Sequence, residues 1–108
     1  MGEMQNKVVD AIKGAAKEAG LDCVVNYDWA NTGNMVFQRG FDTVLTCAFD
    51  FQPANASFQF YPPGVKPVMC IGFKHEQCVE RVWLKYESMG DDVRKMLDFI
   101  KSKGQAAA

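Results

Sequence analysis

Three residues with metal-ligand chemistry lie close together in the chain: Cys70, His75 and Cys78, spaced Cys-x4-His-x2-Cys. Thiolate and imidazole groups suit zinc, and a tetrahedral site would need a fourth ligand from another cysteine or a carboxylate. The chain holds no Cys-x2-Cys pair, and a strand at this point would direct Cys70 along a sheet face, away from the loop of His75. The sequence therefore favours packed thiols and a surface histidine, with Cys/His metal binding as an alternative.

The same region offers a pairing that could act in nucleophilic catalysis, the Cys78 thiol beside the His75 imidazole. Such a pair needs a third group that orients the imidazole, and donors that hold an oxyanion. No glycine-rich elbow is present to hold them, the serines lack a Gly-x-Ser-x-Gly context, and the glycines form no phosphate-binding motif. We therefore predict no catalytic residue and no cofactor, and favour a protein that is not an enzyme.

Aromatic residues are concentrated in one segment, which we call the aromatic hairpin (residues 41–61). The 26 residues from Gly40 to Val65 contain no Lys or Arg, yet they hold five of the eight Phe. Two extended runs joined by a Gln-Pro-Ala-Asn turn predict an antiparallel hairpin, which has more large apolar groups than one buried face normally needs. Its partner-binding candidates are Phe49, Phe51, Phe58, Phe60 and Tyr61.

Three functions are compatible with this pattern. In the first, the protein is an interaction or adaptor module that forms a homodimer or binds a protein partner through the aromatic hairpin, since aromatic anchors dominate binding energy. In the second, it binds a small apolar ligand between sheet and helices. In the third, it binds a metal. The alternative for the hairpin is that both Phe pairs, Phe49 with Phe51 and Phe58 with Phe60, are core. The predicted ligand pocket is lined by Phe37, Phe73, Trp83 and Met96.

The elements that must position these residues follow from hydrophobic periodicity. Apolar residues at helical spacing predict helices over 4–19 and 91–103, and Gly20 and Gly104 are placed to end them. Alternation predicts strands over 21–29, 35–38, 43–52, 57–61, 68–73 and 76–87. The last of these also fits a helix, but its Val, Trp and Tyr favour a strand. The expected fold is an α+β two-layer sandwich, in which two helices cover a five- or six-stranded, mostly antiparallel meander.

Composition limits the partners and the compartment. The 108 residues carry 12 Lys+Arg against 13 Asp+Glu without a basic run, which argues against nucleic-acid binding. No apolar run reaches the length of a membrane span, and no export signal is visible. We therefore expect a cytoplasmic protein with four free thiols that does not bind membranes. It would form a single domain over 1–104, and residues 105–108 resemble a cloning remnant.

Overall fold

The structure, a computed structural model, describes residues 2–70 and 72–106. A helix comes first, five strands follow, and a second helix comes last. A short 3-10 turn, Tyr86–Ser88, joins the final strand to the second helix. The elements are α1 (Gly2–Glu18), β1 (Asp22–Tyr27), β2 (Thr32–Arg39), β3 (Asp42–Phe51), β4 (Asn55–Tyr61), β5 (Glu80–Lys85) and α2 (Gly90–Ala106). The predicted α+β class and the order helix, sheet, helix are confirmed.

The five strands form one antiparallel sheet in the order β1-β2-β3-β4-β5, so each strand pairs with its neighbour in the chain. Short connections favour this meander, because a tight turn can join only antiparallel neighbours. The pairing places Met35 opposite Cys47, and Cys47 opposite Phe60, across three strands. A β-bulge interrupts the β2–β3 ladder between Phe37 and Gln38.

Both helices cover the same face of the sheet, which we call the helix face. Val8 and Ile12 of α1 and Met96 and Ile100 of α2 are buried in one cluster with the inward-facing strand residues. The apolar stripe of each helix recurs every three or four residues and therefore points to one side. This common core makes the two-layer sandwich.

The sequence predicts that Gly20 and Gly104 each end a helix, but only Gly20 does so. Gly20 follows α1 with a φ of 78°, a left-handed conformation that ends a helix at little cost. The prediction for Gly104 is wrong, because α2 continues through it to Ala106. A Cβ on Gly104 would lie 2.6 Å from the Cβ of Ala19. Gly104 thus lets α2 approach the end of α1 closely.

Two further strand predictions have different outcomes. The preference for a strand within 76–87 is confirmed over Glu80–Lys85. The strand predicted over 68–73 is wrong: the described residues there are irregular, and the sheet has five strands. The prolines at 62, 63 and 67 remove donors that a ladder needs. Residues 62–70 and 72–79, which we call the covering segment, instead cross the face of the sheet opposite the helices, the second face.

Candidate functional site

The four Phe residues of the aromatic hairpin that were partner-binding candidates lie in the core. Phe49, Phe51, Phe58 and Phe60 are each at most 1% exposed and belong to the cluster under the helices. Their rings contact one another in a row: Phe49 lies 5.4 Å from Phe51 in a tilted arrangement, and Phe51 lies 5.5 Å from Phe58 edge to face. The alternative for the hairpin, that both Phe pairs are core, agrees with this burial, whereas Phe41 at the start of the hairpin is fully exposed. None of the four presents its ring to a partner.

The fifth candidate, Tyr61, lies on the second face and is also fully buried. Its hydroxyl donates to the carbonyl oxygen of Val68 and lies 3.3 Å from Oε1 of Gln59. Burial raises the pKa of Tyr61, so its hydroxyl keeps its proton and remains a donor. Tyr61 therefore holds the covering segment against the sheet and does not face solvent.

Gln59 is the polar centre of this attachment, and only 1% of it is exposed. Its Nε2 donates to the Cys70 carbonyl oxygen at 2.7 Å, and its Oε1 accepts from the Cys70 N–H at 3.0 Å. One side-chain amide thus satisfies both backbone groups of Cys70, as a neighbouring strand would. Sequence reasoning missed Gln59, because a Gln between two Phe on a strand is also the pattern of a sheet face that is open to solvent.

The three metal-ligand candidates are not arranged as a site. The Cys78 thiol donates to the Glu80 carbonyl oxygen at 3.1 Å, and His75 Nδ1 accepts the Gln77 N–H at 3.1 Å. The His75 ring lies edge-on to Tyr61, 5.7 Å away. Among residues 2–70 and 72–106, no group of three His, Cys, Asp or Glu side chains is placed to hold a metal ion.

Two of the four thiols, Cys23 and Cys47, are poorly suited to nucleophilic catalysis. Burial raises the pKa of Cys47 well above its ordinary value and raises that of Cys23 to about 11. The thiolate is the reactive form of cysteine. Both groups therefore stay protonated near neutral pH and pack as small apolar side chains.

A cleft of about 250 Å³ lies on the second face, beside the covering segment. Its floor includes a row of three side chains, because Asp50 pairs with Ser57 and Ser57 pairs with Trp83 across β3, β4 and β5. Met69 and Cys70 form its wall. The further lining residues are Gln52, Asn55, Gln59, Gly72 and Arg81. We call this the Trp83 cleft.

The Trp83 cleft combines several kinds of contact. Trp83 is 53% exposed and offers an apolar ring surface. Asp50 offers acceptor oxygens, and one of them already accepts from Gln52 Nε2 at 2.6 Å. Arg81 supplies a planar set of N–H donors. Such a site can hold an apolar side chain while it hydrogen-bonds the polar groups next to that side chain.

Trp83 also borders two other depressions of the surface. One, of about 410 Å³, lies towards Pro53 and Tyr86. The other, of about 160 Å³, lies towards Asp92 and Lys95 of α2. The Trp83 side chain therefore separates three concave regions of the surface. The sequence placed Trp83 in a ligand pocket but did not show its exposure, because a strand pattern alone does not say which face stays open.

The four residues predicted to line an apolar pocket do not come together. Phe37 and Met96 have no exposed surface and fill the core between sheet and helices. Phe73 belongs to the covering segment and is exposed, and Trp83 lies on the second face. The pocket predicted under the helices is thus occupied by the protein's own side chains at Phe37 and Met96.

Comparison with known proteins adds no functional analogy. No protein-family model, curated protein or solved structure matches this chain. Within the described part of the chain, neither helix has the length and apolar character needed to span a membrane.

Proposed function

We propose that this protein is a non-catalytic, cytosolic interaction module that binds a polypeptide partner in the Trp83 cleft. The observation that carries the proposal is the half-exposed Trp83 on a rigid strand, beside a concave surface with polar groups. The aromatic hairpin supplies the floor of the site through its second-face residues, while four of its Phe rings build the core beneath.

The composition of the cleft supports a protein partner. Trp, Arg and Met are enriched at protein interfaces, and the cleft presents Trp83, Arg81 and Met69. Tryptophan and arginine are also the residues most often found to dominate binding energy when they are replaced by alanine. A peptide fits the remaining groups, because its N–H can donate to Asp50 and its carbonyl oxygen can accept from Arg81.

The four thiols agree with a reducing compartment. Cys23, Cys47, Cys70 and Cys78 are all free, and three of them are buried. A protein that folds around unpaired cysteines needs no oxidising environment.

The chain contains a matched control for Trp83. It has two tryptophans, and Trp29 in the β1–β2 connection is 78% exposed. Trp83→Ala and Trp29→Ala therefore remove the same side chain from two exposed sites, and only the first borders the cleft.

The test uses a phage library of random 12-residue peptides selected on the wild-type protein. We expect a shared peptide motif, and at least a 30-fold loss of its affinity in Trp83→Ala, which corresponds to about 2 kcal/mol for an anchor residue. Trp29→Ala should bind like the wild type. Titration followed by NMR should shift the indole N–H signal of Trp83 and leave that of Trp29 in place.

Two results would overturn the proposal: a selection without any motif, or a motif that binds Trp83→Ala as tightly as the wild type. A small-ligand binder is the second candidate, since the cleft has a wall as well as a floor. A small molecule that raises the melting temperature of the wild type but not of Trp83→Ala would favour it.

A further inference from the structure

The sheet has two edge strands, β1 and β5, and each presents unpaired backbone groups. Backbone hydrogen bonds alternate along an antiparallel strand, so every second residue bonds to a given neighbour. The Asp28 N–H bonds to Thr32, which continues the β1–β2 ladder, so the even-numbered residues of β1 point towards β2. The backbone groups of Cys23, Val25 and Tyr27 therefore point outward. Within the described residues, no backbone hydrogen bond satisfies them.

The two edges differ in their protection against pairing. On β5 the outward backbone positions are Arg81, Trp83 and Lys85, since the Tyr86 N–H bonds to Ala54. Two of these three carry positive charge, and charged side chains are a common means of blocking an edge. Asp92 and Lys95 of α2 add further charge beside it. These charges therefore protect edge β5 against pairing with another strand.

Edge β1 has no Lys, Arg or Pro within the strand, and Lys13 of α1 lies near Cys23 at one end of it. Its sequence is Asp-Cys-Val-Val-Asn-Tyr, with one charge at the first position and neither Lys nor Pro. Val24 is 46% exposed on the second face, and Tyr27 is 47% exposed on the helix face. The β1–β2 pairing is regular over all six residues, without a bulge. An apolar, regular edge of this kind is a template for another strand.

We propose that β1 pairs with β1 of a second copy of this chain, in an antiparallel homodimer centred on Val24. In this register Cys23 lies opposite Val25 of the partner, and the two residues exchange both backbone hydrogen bonds. The two-fold axis repeats that pair on the other side of the centre. The outward backbone groups of Cys23 and Val25 are all satisfied.

Charge and shape select this register over its neighbour. With Val24 at the centre, Asp22 faces the Asn26 amide of the partner, which can donate to its carboxylate, and the two exposed Val24 side chains meet. With Val25 at the centre, Asp22 would face Asp28 of the partner. Like charges directly opposite are destabilising.

The dimer has a consequence for the Trp83 cleft. A two-fold axis perpendicular to the sheet joins the two sheets into one of ten strands and keeps both second faces on the same side. The two β5 strands are then the outer edges, about 43 Å apart for nine strand spacings of about 4.8 Å. A polypeptide with two binding motifs could engage both clefts of one dimer, which raises its overall affinity without new contacts.

The first test is the mass in solution, by sedimentation equilibrium over a wide range of protein concentrations. We expect the wild type to approach about 24 kDa, twice 12.1 kDa, and Val24→Lys to remain at the monomer mass because lysine blocks an edge. Val79→Lys is the matched control, since Val79 is 43% exposed on the covering segment. It should dimerise like the wild type. A monomeric wild type, or a Val24→Lys that dimerises equally, overturns the proposal.

The second test addresses the register. In a Cys23→Ser background, Val24→Cys should form an interchain disulfide under mild oxidation, because directly opposed residues have Cα atoms about 4.5 Å apart. Asn26→Cys should not, since two Asn26 residues lie four positions apart along the strand. Cross-linking of Asn26→Cys but not of Val24→Cys would overturn this register.

Both tests are independent of the proposed partner binding. Repeating the peptide selection on monomeric Val24→Lys reports on the Trp83 cleft alone, and the mass of Trp83→Ala reports on the β1 edge alone. Failure of one proposal therefore leaves a clear result for the other.

Discussion

Replacing Gln59 with Met tests whether its amide holds the covering segment in place. Methionine has nearly the same length and stays apolar, so the change removes the hydrogen bonds without leaving a cavity. The two bonds to Cys70 are lost. Each buried hydrogen bond contributes about 0.5–1.5 kcal/mol, so the expected cost is about 2 kcal/mol. For a domain of about 100 residues this lowers the melting temperature by about 8–16 °C.

The covering segment around Cys70 should open more readily in this variant than the rest of the protein unfolds. The Cys70 N–H is freed from its only side-chain acceptor among the described residues, so we expect its hydrogen exchange to accelerate about 30-fold, the equivalent of about 2 kcal/mol. Amides in the centre of β3 should respond less. The assay combines urea unfolding with exchange monitored by NMR. Loss of the cleft wall should also weaken any peptide selected on the Trp83 cleft.

The control is Gln52→Met, which removes an exposed amide bonded to Asp50. Exposed hydrogen bonds contribute little, so this variant should stay within about 0.5 kcal/mol of the wild type. If Gln59→Met is equally harmless and Cys70 exchanges at its original rate, the amide does not anchor the segment and the account of the second face is wrong.

Two further perturbations test the helix ends and the buried thiols. Arg39 Nη2 donates to the carbonyl oxygens of Ala19 at 2.8 Å and Gly104 at 2.6 Å. Arg39→Met should cost about 3 kcal/mol in urea unfolding, the lower limit for two bonds to a charged group that each contribute about 1.5–3 kcal/mol, because the site is only partly buried. An unchanged midpoint would show that the two helix ends do not need this clamp. Alkaline pH should destabilise the fold, because burial raises the pKa of Cys23 from 9.0 to about 11. The unfolded thiol ionises first, so this contribution is complete below pH 9 and is lost as the pH rises towards 11. Between pH 8 and 10.5 the unfolding midpoint of the wild type should fall more steeply than that of Cys23→Ala, which lacks this thiol, and parallel curves would contradict the shift.

Local patterns were enough to predict most of the elements. Val8 and Ile12 recur at helical spacing, and Leu45, Cys47, Phe49 and Phe51 alternate at strand spacing, so their segments could bury a face in one way. The period of two also placed Ser57, Gln59 and Tyr61 on one face of their strand, but it left open which face of the sheet that is. The class of fold and its meander order follow from these periods and from the short connections between them.

Long-range contacts determine which faces of the aromatic hairpin are buried. Its alternation shows that Phe58 and Tyr61 lie on opposite faces, but no local rule says that both faces are covered. The second cover comes from an irregular segment pinned through Gln59 and Tyr61, and such side-chain to backbone bonds join residues up to eleven positions apart. The interpretation of 68–73 as a strand failed for the same reason, since its Cys70 bonds to a side chain and not to a ladder.

For the candidate site, too, some features follow from neighbouring residues in the chain and others from contacts between distant segments. Residue types and periodicity were sufficient for a small α+β domain, two amphipathic helices and a charge-poor aromatic hairpin, because these depend on neighbours in the chain. Which aromatic ring faces solvent, which sheet edge is guarded and how closely Gly104 meets Ala19 depend on the meeting of distant segments. Only the folded chain decided that the four Phe residues at 49, 51, 58 and 60 are core and that Trp83 and Val24 are exposed, since burial is a property of the whole packing arrangement.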